Sequence, residues 1–306
     1  MTGFIEQLPK AELHLHLEGS LEPETVRELA PELSLEEIRA RYRYENFLGF
    51  LQAFQWVVER LRSPEGYALA ARRLLERLAA QNVRYAEITL SAGVTLWRGQ
   101  EFAPVYEAVR REAARSTVQV WWVLDAVRQF GAEKAMEVAR LAAERAADGV
   151  VAFGIGGDEA AAPPEMFAEV FAFARSRGLR LAPHAGETAG PPSIWGALRF
   201  GADRIGHGIR AVEDPALMRH LRDQKIPLEV CISSNLATGV VTRLEEHPAR
   251  KLYESGVPIV LNTDDPAMFH TSLVREYELA ARLGFCEREL EEVAGNGFRF
   301  GFRAKP

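Results

Sequence analysis

Eight short apolar runs, separated by longer stretches with helical spacing, constrain this chain more than any other feature. The runs are Ala11–Leu15, Val83–Leu90, Val118–Leu124, Val150–Ile155, Leu179–Pro183, Arg204–Gly206, Leu228–Ile232 and Val257–Asn262. Apolar and β-branched residues dominate them and turn residues bound them, the pattern of buried strands. Between them, Tyr67–Ala80, Ala132–Ala147 and Pro164–Arg177 carry apolar residues three and four apart, the period of one helix face. Gly178 follows the last of these, where a helix end favours glycine. The alternation predicts a parallel sheet, either closed into a barrel or open and doubly wound. The segment Ser20–Ala80 is too long for one crossover and reads as a helical excursion after the first strand, covering one end of the sheet. No Ser/Gly linker, charge block or internal repeat marks a second unit, so residues 1–306 are expected to form one domain.

Charge and cysteine content narrow the function classes. The formal net charge of -6 disfavours phosphate backbones, so no nucleic-acid partner is expected. No apolar run approaches the roughly 18 residues of a membrane span. Met1–Lys10 lacks the basic start and apolar stretch of a secretory signal. The expectation is a cytoplasmic protein without a membrane partner. Cys231 and Cys286 are too few for a disulfide framework or a Cys-rich zinc site, and read as two buried free thiols. The sequence leaves monomer and homo-oligomer equally open.

The chemistry gathers at strand ends. His14 and His16 are two apart in AELHLHLEG, so on a strand both imidazoles point to one side. His184 ends a second apolar run, His207 a third, and Asp264 and Asp265 follow a fourth. A charged residue after a strand is ordinary taken singly. The set is not, because in a TIM barrel all strand C-termini converge on one face. Imidazoles with one carboxylate and no thiolate suit zinc, and also admit iron, nickel or cobalt. His14, His16, His184 and Asp264 are the expected ligands of one ion per chain, leaving Glu187, His207 and Asp265 beside it.

Taken together, KAELHLHLEGS, GGDE, HAGE, RIGHG, SSNLATG and LNTDDP resemble the adenosine deaminase family of metal-dependent aminohydrolases. The resemblance spans roughly residues 8 to 270 and implies a TIM (β/α)8 barrel, with the helical insertion after strand 1. It implies zinc bound by His14, His16, His184 and Asp264, with Glu187 protonating N1 of a purine. His207 would orient or deprotonate the water that the metal activates, and Asp264 would manage protons beside it. Asp265 would bond N7, the backbone at Gly157 would meet N3, and Glu18 and His16 would lie against the substrate. The H-x-E…P-C-x-x-C pattern of cytidine-type deaminases is absent.

The substrate expected from this resemblance is a small purine, and departures from the family pattern bear on the group attached to N9. Glu18 stands where Asp usually contacts the ribose, Thr89 and Ala92 replace a frequent Arg and Pro, and Gly154 replaces a frequent Asp. They point to a 6-aminopurine nucleoside with a modified 5′ end. Aminodeoxyfutalosine, the adenine-bearing intermediate of the alternative menaquinone route, stands beside adenosine, with free adenine third. An ester or amide metallohydrolase and a non-catalytic binding module are the competing classes. Asp158 and Glu159 read as surface or supporting acids, and His220, His247 and His270 as surface histidines, of which His270 is the candidate to reach the pocket. Phe47, Phe50, Phe54 and Trp56 have near-helical spacing and read either as core or as an apolar lid over the purine.

Overall fold

The computed structural model describes residues 1–303. Its strands, in chain order, are β1 (Lys10–His16), β2 (Val83–Leu90), β3 (Gln119–Val127), β4 (Val150–Gly156), a fifth in two pieces called β5 (Arg180–Leu181 and His184–Ala185), β6 (Ile205–His207), β7 (Leu228–Val230) and β8 (Ile259–Leu261). All neighbours pair in parallel. Hydrogen bonding groups them as two runs that meet within β5, where Pro183 has no N–H to donate. The ladder closes between the last and first strands: Asp264 N–H donates to His14 O at 3.0 Å, and His16 N–H donates to Asp264 O at 2.8 Å. The result is a closed TIM barrel rather than an open sheet.

Several boundaries differ from the sequence expectation. β3 runs on to Val127 because its apolar pattern continues past Asp125. β7 stops at Val230, since Ile232 already begins the helix Ile232–Ala237. Of the Ser20–Ala80 excursion, the helix Pro64–Ala80 packs on β2 and against the helix Phe102–Ala113, as part of the outer ring. The helix Phe47–Val58, started by Asn46 Oδ1 accepting from Gly49 N–H at 2.9 Å, lies over the C-terminal mouth. Cys231 is buried as expected, but Cys286 is exposed, because it sits at the start of the surface helix Glu287–Phe300. No helix among the described residues is long and apolar enough to cross a membrane.

Every residue of β1 is buried, since the barrel interior lies on one side and the helix ring on the other. Leu15, Ile88, Leu124 and Ile155 are each fully enclosed in the main core, worth about 1.5–3 kcal/mol apiece. The interior also holds charge. Arg204 on the approach to β6 reaches Glu229 on β7 and Glu87 on β2, both at 2.5 Å, with all three side chains buried. Its guanidinium lies 3.6 Å from the Phe302 ring centroid and donates to Phe300 O, so the end of the described chain closes the bottom of the barrel.

Candidate metal-dependent active site

Four ligand-type side chains converge at the C-terminal mouth. β1 presents His14 and His16, the last piece of β5 carries His184, and Asp264 follows β8 with a left-handed φ of 62°. That region is sparsely populated by non-glycine residues, and the two ladder bonds to β1 hold Asp264 in it. His14 Nε2 lies 3.3 Å from Asp264 Oδ1, His16 Nε2 lies 3.5 Å from the same oxygen, and His16 Nε2 lies 3.4 Å from His184 Nε2. Tetrahedral ligands bound at about 2.0–2.1 Å stand roughly 3.3 Å apart. His14 Nε2 is enclosed without a hydrogen-bond partner. The donor set, its spacing and this orphaned nitrogen all fit one cation. Gly206 is required beside it, because an added Cβ would come within 2.8 Å of His14 Cε1.

The charge around these groups favours a cation. Burial pushes His16 down to about 4 and holds His184 well below its ordinary value, so both stay neutral, the ligating form. Burial opposes charge on His14 too, but Asp264 and Glu229 overcome it and raise that imidazole to about 10. Glu229 bonds His14 Nδ1 at 2.8 Å, which turns Nε2 toward the cluster. Sequence reasoning missed Glu229; its one signal was a carboxylate inside the apolar run LEVCI.

Glu187 stands in the loop after β5. Glu159, expected as a surface or supporting acid, is only 3% exposed and anchors that loop. Its carboxylate accepts from the backbone N–H groups of Gly186, Glu187, Thr188 and Ala189 and from Ser193 Oγ. Burial, then the charges of Asp264 and Glu159, hold the Glu187 carboxyl well above its ordinary range. His207 faces it across the site: its Nε2 lies 3.7 Å from Glu187 Oε2 and 3.8 Å from Asp264 Oδ2. Burial brings His207 down to about 4, so it is neutral. Burial and the adjacent Asp264 carboxylate push Asp265 up, keeping it protonated.

A cavity of about 340 Å³ opens above the cluster. His16, Gly157, His184, Glu187, His207, Asp264 and Asp265 line it, as do Phe47, Phe50 and Phe54. Three of the four aromatics thus line the cavity, and all four also pack on the core. Trp56 is not among the lining residues and instead lies under the guanidinium groups of Arg41 and Arg60. Glu18 does not line the cavity: it is fully enclosed, with Oε1 accepting from Ser91 N–H at 3.0 Å. Ser91 and Asp125, missed in the sequence, do line it. Asp125 is 5% exposed, its Oδ1 meets no donor, and glycines at 154 and 156 leave the room it occupies. His270 is exposed and lies on a separate surface depression with Tyr42 and Tyr44. His247, expected on the surface, is buried and bonds Asn235, which bonds His207. His220 is half-buried against Trp195.

A family model described as adenosine deaminase matches residues 9–306. The chain is 40% identical to an aminodeoxyfutalosine deaminase of Streptomyces avermitilis, over 99% of this chain and 88% of that one. Among solved structures, the adenine deaminase of Arthrobacter aurescens superposes with a TM-score of 0.91 at 29% identity, over 97% of this chain and 95% of that one. An amidohydrolase from Burkholderia ambifaria, solved with bound Zn, has a TM-score of 0.91 at 28% identity, over 98% of this chain and 87% of that one.

Proposed function

This chain belongs to the adenosine deaminase family and is a hydrolytic deaminase, and on that premise we propose that it removes ammonia from a 6-aminopurine nucleoside carrying an extended 5′ group, aminodeoxyfutalosine first and adenosine second. The observation that carries the choice of substrate is the cavity wall. Phe47, Phe50, Phe54, Val58, Trp97 and Phe130 make most of it apolar, and among the described residues no Lys or Arg lines it. A phosphate would find no cation there, and free adenine would leave the aromatic wall uncovered. A 5′ substituent of apolar or aromatic character covers it.

The ion we assign to His14, His16, His184 and Asp264 is zinc, which supplies a water acidified to a pKa of about 7 and so nucleophilic at neutral pH. The protein's own groups then manage charge. As oxygen bonds to C6, the ring loses aromaticity and negative charge builds on N1. Glu187, held protonated by its surroundings, gives its proton to N1. Asp265, likewise protonated, donates to N7, which is an acceptor. The Gly157 N–H faces N3. Asp264 accepts one proton of the water and passes it to the leaving amine, so ammonia departs; the remaining hydroxyl hydrogen leaves as C6=O forms and restores the proton that Glu187 gave to N1. Ser91 and Asp125, at the ends of β2 and β3, face the group on N9.

Ammonia release from aminodeoxyfutalosine, adenosine, adenine and AMP tests this reading. The expected order of kcat/KM is aminodeoxyfutalosine, then adenosine, with adenine and AMP far behind. Preference for adenine would move the chain to the activity named for its Arthrobacter neighbour, a reading favoured by the enclosure of Glu18. Hydrolysis of esters or amides with no purine turnover would overturn it.

A further inference from the structure

We propose that His247 and Asn235 form a relay that fixes the tautomer of His207, holding its proton on Nε2 and making it a hydrogen-bond donor at the reacting centre. The placement of that donor in the reaction rests on the deaminase reading above; the tautomer does not.

The argument is an accounting of donors and acceptors along one buried chain. It starts at a group whose role is unambiguous. The backbone N–H of Ala249 points at His247 Nδ1 at 3.2 Å. A backbone amide can only donate, so His247 Nδ1 accepts and carries no hydrogen. Burial, then the neighbouring His207, bring His247 down to about 4, which agrees with a neutral ring. Its single hydrogen is therefore on Nε2, which lies 3.1 Å from Asn235 Oδ1 and donates to it. With its oxygen committed, Asn235 turns its Nδ2 toward His207 Nδ1 at 3.3 Å and donates there. His207 Nδ1 is thus an acceptor, and the hydrogen of a neutral His207 is on Nε2. The reverse assignment, with the Asn235 amide turned over, would put a hydrogen on His247 Nδ1 and leave the Ala249 amide facing a second donor.

All members are enclosed: Asn235 and Ala249 are fully buried, His207 is 1% and His247 4% exposed. Water cannot easily exchange roles at these positions, so an inverted relay would leave buried polar groups unmatched. His207, the last residue of β6, has a left-handed φ of 59° just before the short helical turn Ile209–Glu213.

The consequence lies at the other end of the ring. Nε2 faces the cavity, too far from Glu187 Oε2 and Asp264 Oδ2 for a direct hydrogen bond to either. An oxygen lodged between those carboxyls would accept from Nε2–H. In this tautomer Nε2 has no free lone pair, so His207 orients that oxygen and cannot deprotonate it. The proton goes to Asp264. Of the two roles that the sequence left open for His207, the relay selects orientation.

Nitrogen-15 spectra of the zinc-loaded protein, labelled at histidine, test the relay without any substrate, with His207 signals identified by their loss in His207→Gln. The expected spectrum has His207 protonated at Nε2 and bare at Nδ1. Asn235→Asp replaces the donor by an acceptor and should move the proton to Nδ1, lowering kcat roughly 10²- to 10⁴-fold with bound metal unchanged. His247→Gln keeps a donor within reach of Asn235 Oδ1 and should hold both the tautomer and kcat to within about threefold; His247→Ala should hold neither. A wild-type His207 protonated at Nδ1, or Asn235→Asp at full rate, overturns the relay. If Asn235→Asp does not fold, the wild-type spectrum and the two His247 variants still decide it. If the wild type releases ammonia from no 6-aminopurine, the deaminase reading fails while the spectrum still judges the tautomer.

Discussion

The carboxylate of Glu159 sets where Glu187 stands. It accepts from the backbone N–H of Glu187 itself and of the residues on either side, so the loop after β5 hangs from one buried side chain.

Removing that anchor leaves four backbone donors unmatched in a nearly enclosed site. Glu159→Ala should cost about 2–4 kcal/mol of stability in urea unfolding. It should also lower kcat well beyond what the lost stability explains, because Glu187 is no longer positioned. Glu159→Gln, which retains one acceptor oxygen, should fall between. A Glu159→Ala protein with unchanged kcat would show that the loop is held by other contacts.

Glu187 must carry a proton when substrate binds. Its carboxyl is raised by burial and by Asp264 and Glu159. Activity should therefore be full below that raised value and fall as pH climbs through it, the alkaline limb belonging to this acid. Glu187→Gln should lower kcat roughly 10²- to 10⁴-fold while binding metal normally. A rate on 6-aminopurines insensitive to that change would remove the N1 acid from the mechanism.

Metal analysis should find about one ion per chain, as a single four-ligand site requires. His16→Ala should lose both ion and activity. Glu229→Gln should weaken metal affinity roughly 10- to 100-fold, since the bond from His14 Nδ1 is altered and Arg204 loses a charged partner. Equal affinity in that variant would mean that His14 is oriented by packing alone.

Asp125 should discriminate by the group on N9. Burial, then the nearby Glu18, hold its carboxyl well above the ordinary range, so its unpartnered oxygen meets a ribose hydroxyl as a neutral group, a bond worth roughly 2- to 10-fold. Asp125→Ala should penalise adenosine more than 2′,3′-dideoxyadenosine by at least that lower factor. An equal penalty on both would place Asp125 in support of His184 instead, and the metal content would then fall too.

His247 contributes a pH dependence of folding. Its native value is about 4 against an ordinary 6.5, so only the unfolded chain gains a proton between them. The sign follows: stability is present above about pH 6.5 and is lost as pH falls toward 4, by at most roughly 3 kcal/mol. His247→Gln should flatten that part of the curve, measured by urea unfolding across the range. A curve as steep as the wild type would assign the acid loss to other groups.

The repeating architecture was legible because strand and helix periods are local. β2 matches the expected run residue for residue, and the four ligand-type residues stand at strand ends as read from the sequence. The misplaced buried acids and histidine have a common cause. Each is a polar side chain whose environment is set by residues far along the chain. His247 looked like a surface residue because its neighbours in sequence are polar, yet it is buried behind His207. Glu159 looked like loop charge because the four amides that it collects lie 27 to 30 residues away. Glu87, Asp125 and Glu229 each interrupted an apolar strand and offered the one usable hint, a charge that a barrel interior holds only if something pairs with it or uses it.

The amino-acid order alone therefore determined which strands form, in what succession, and which donor atoms stand at their C-terminal ends, because these follow from side-chain size, polarity and a period of two. Tertiary closure decided the rest: the 3.3 to 3.5 Å spacing of the ligand atoms, the raised carboxyl of Glu187, and the direction of each hydrogen bond behind His207. Those quantities depend on distance and desolvation between groups up to 251 positions apart, which come into existence only when β8 pairs with β1.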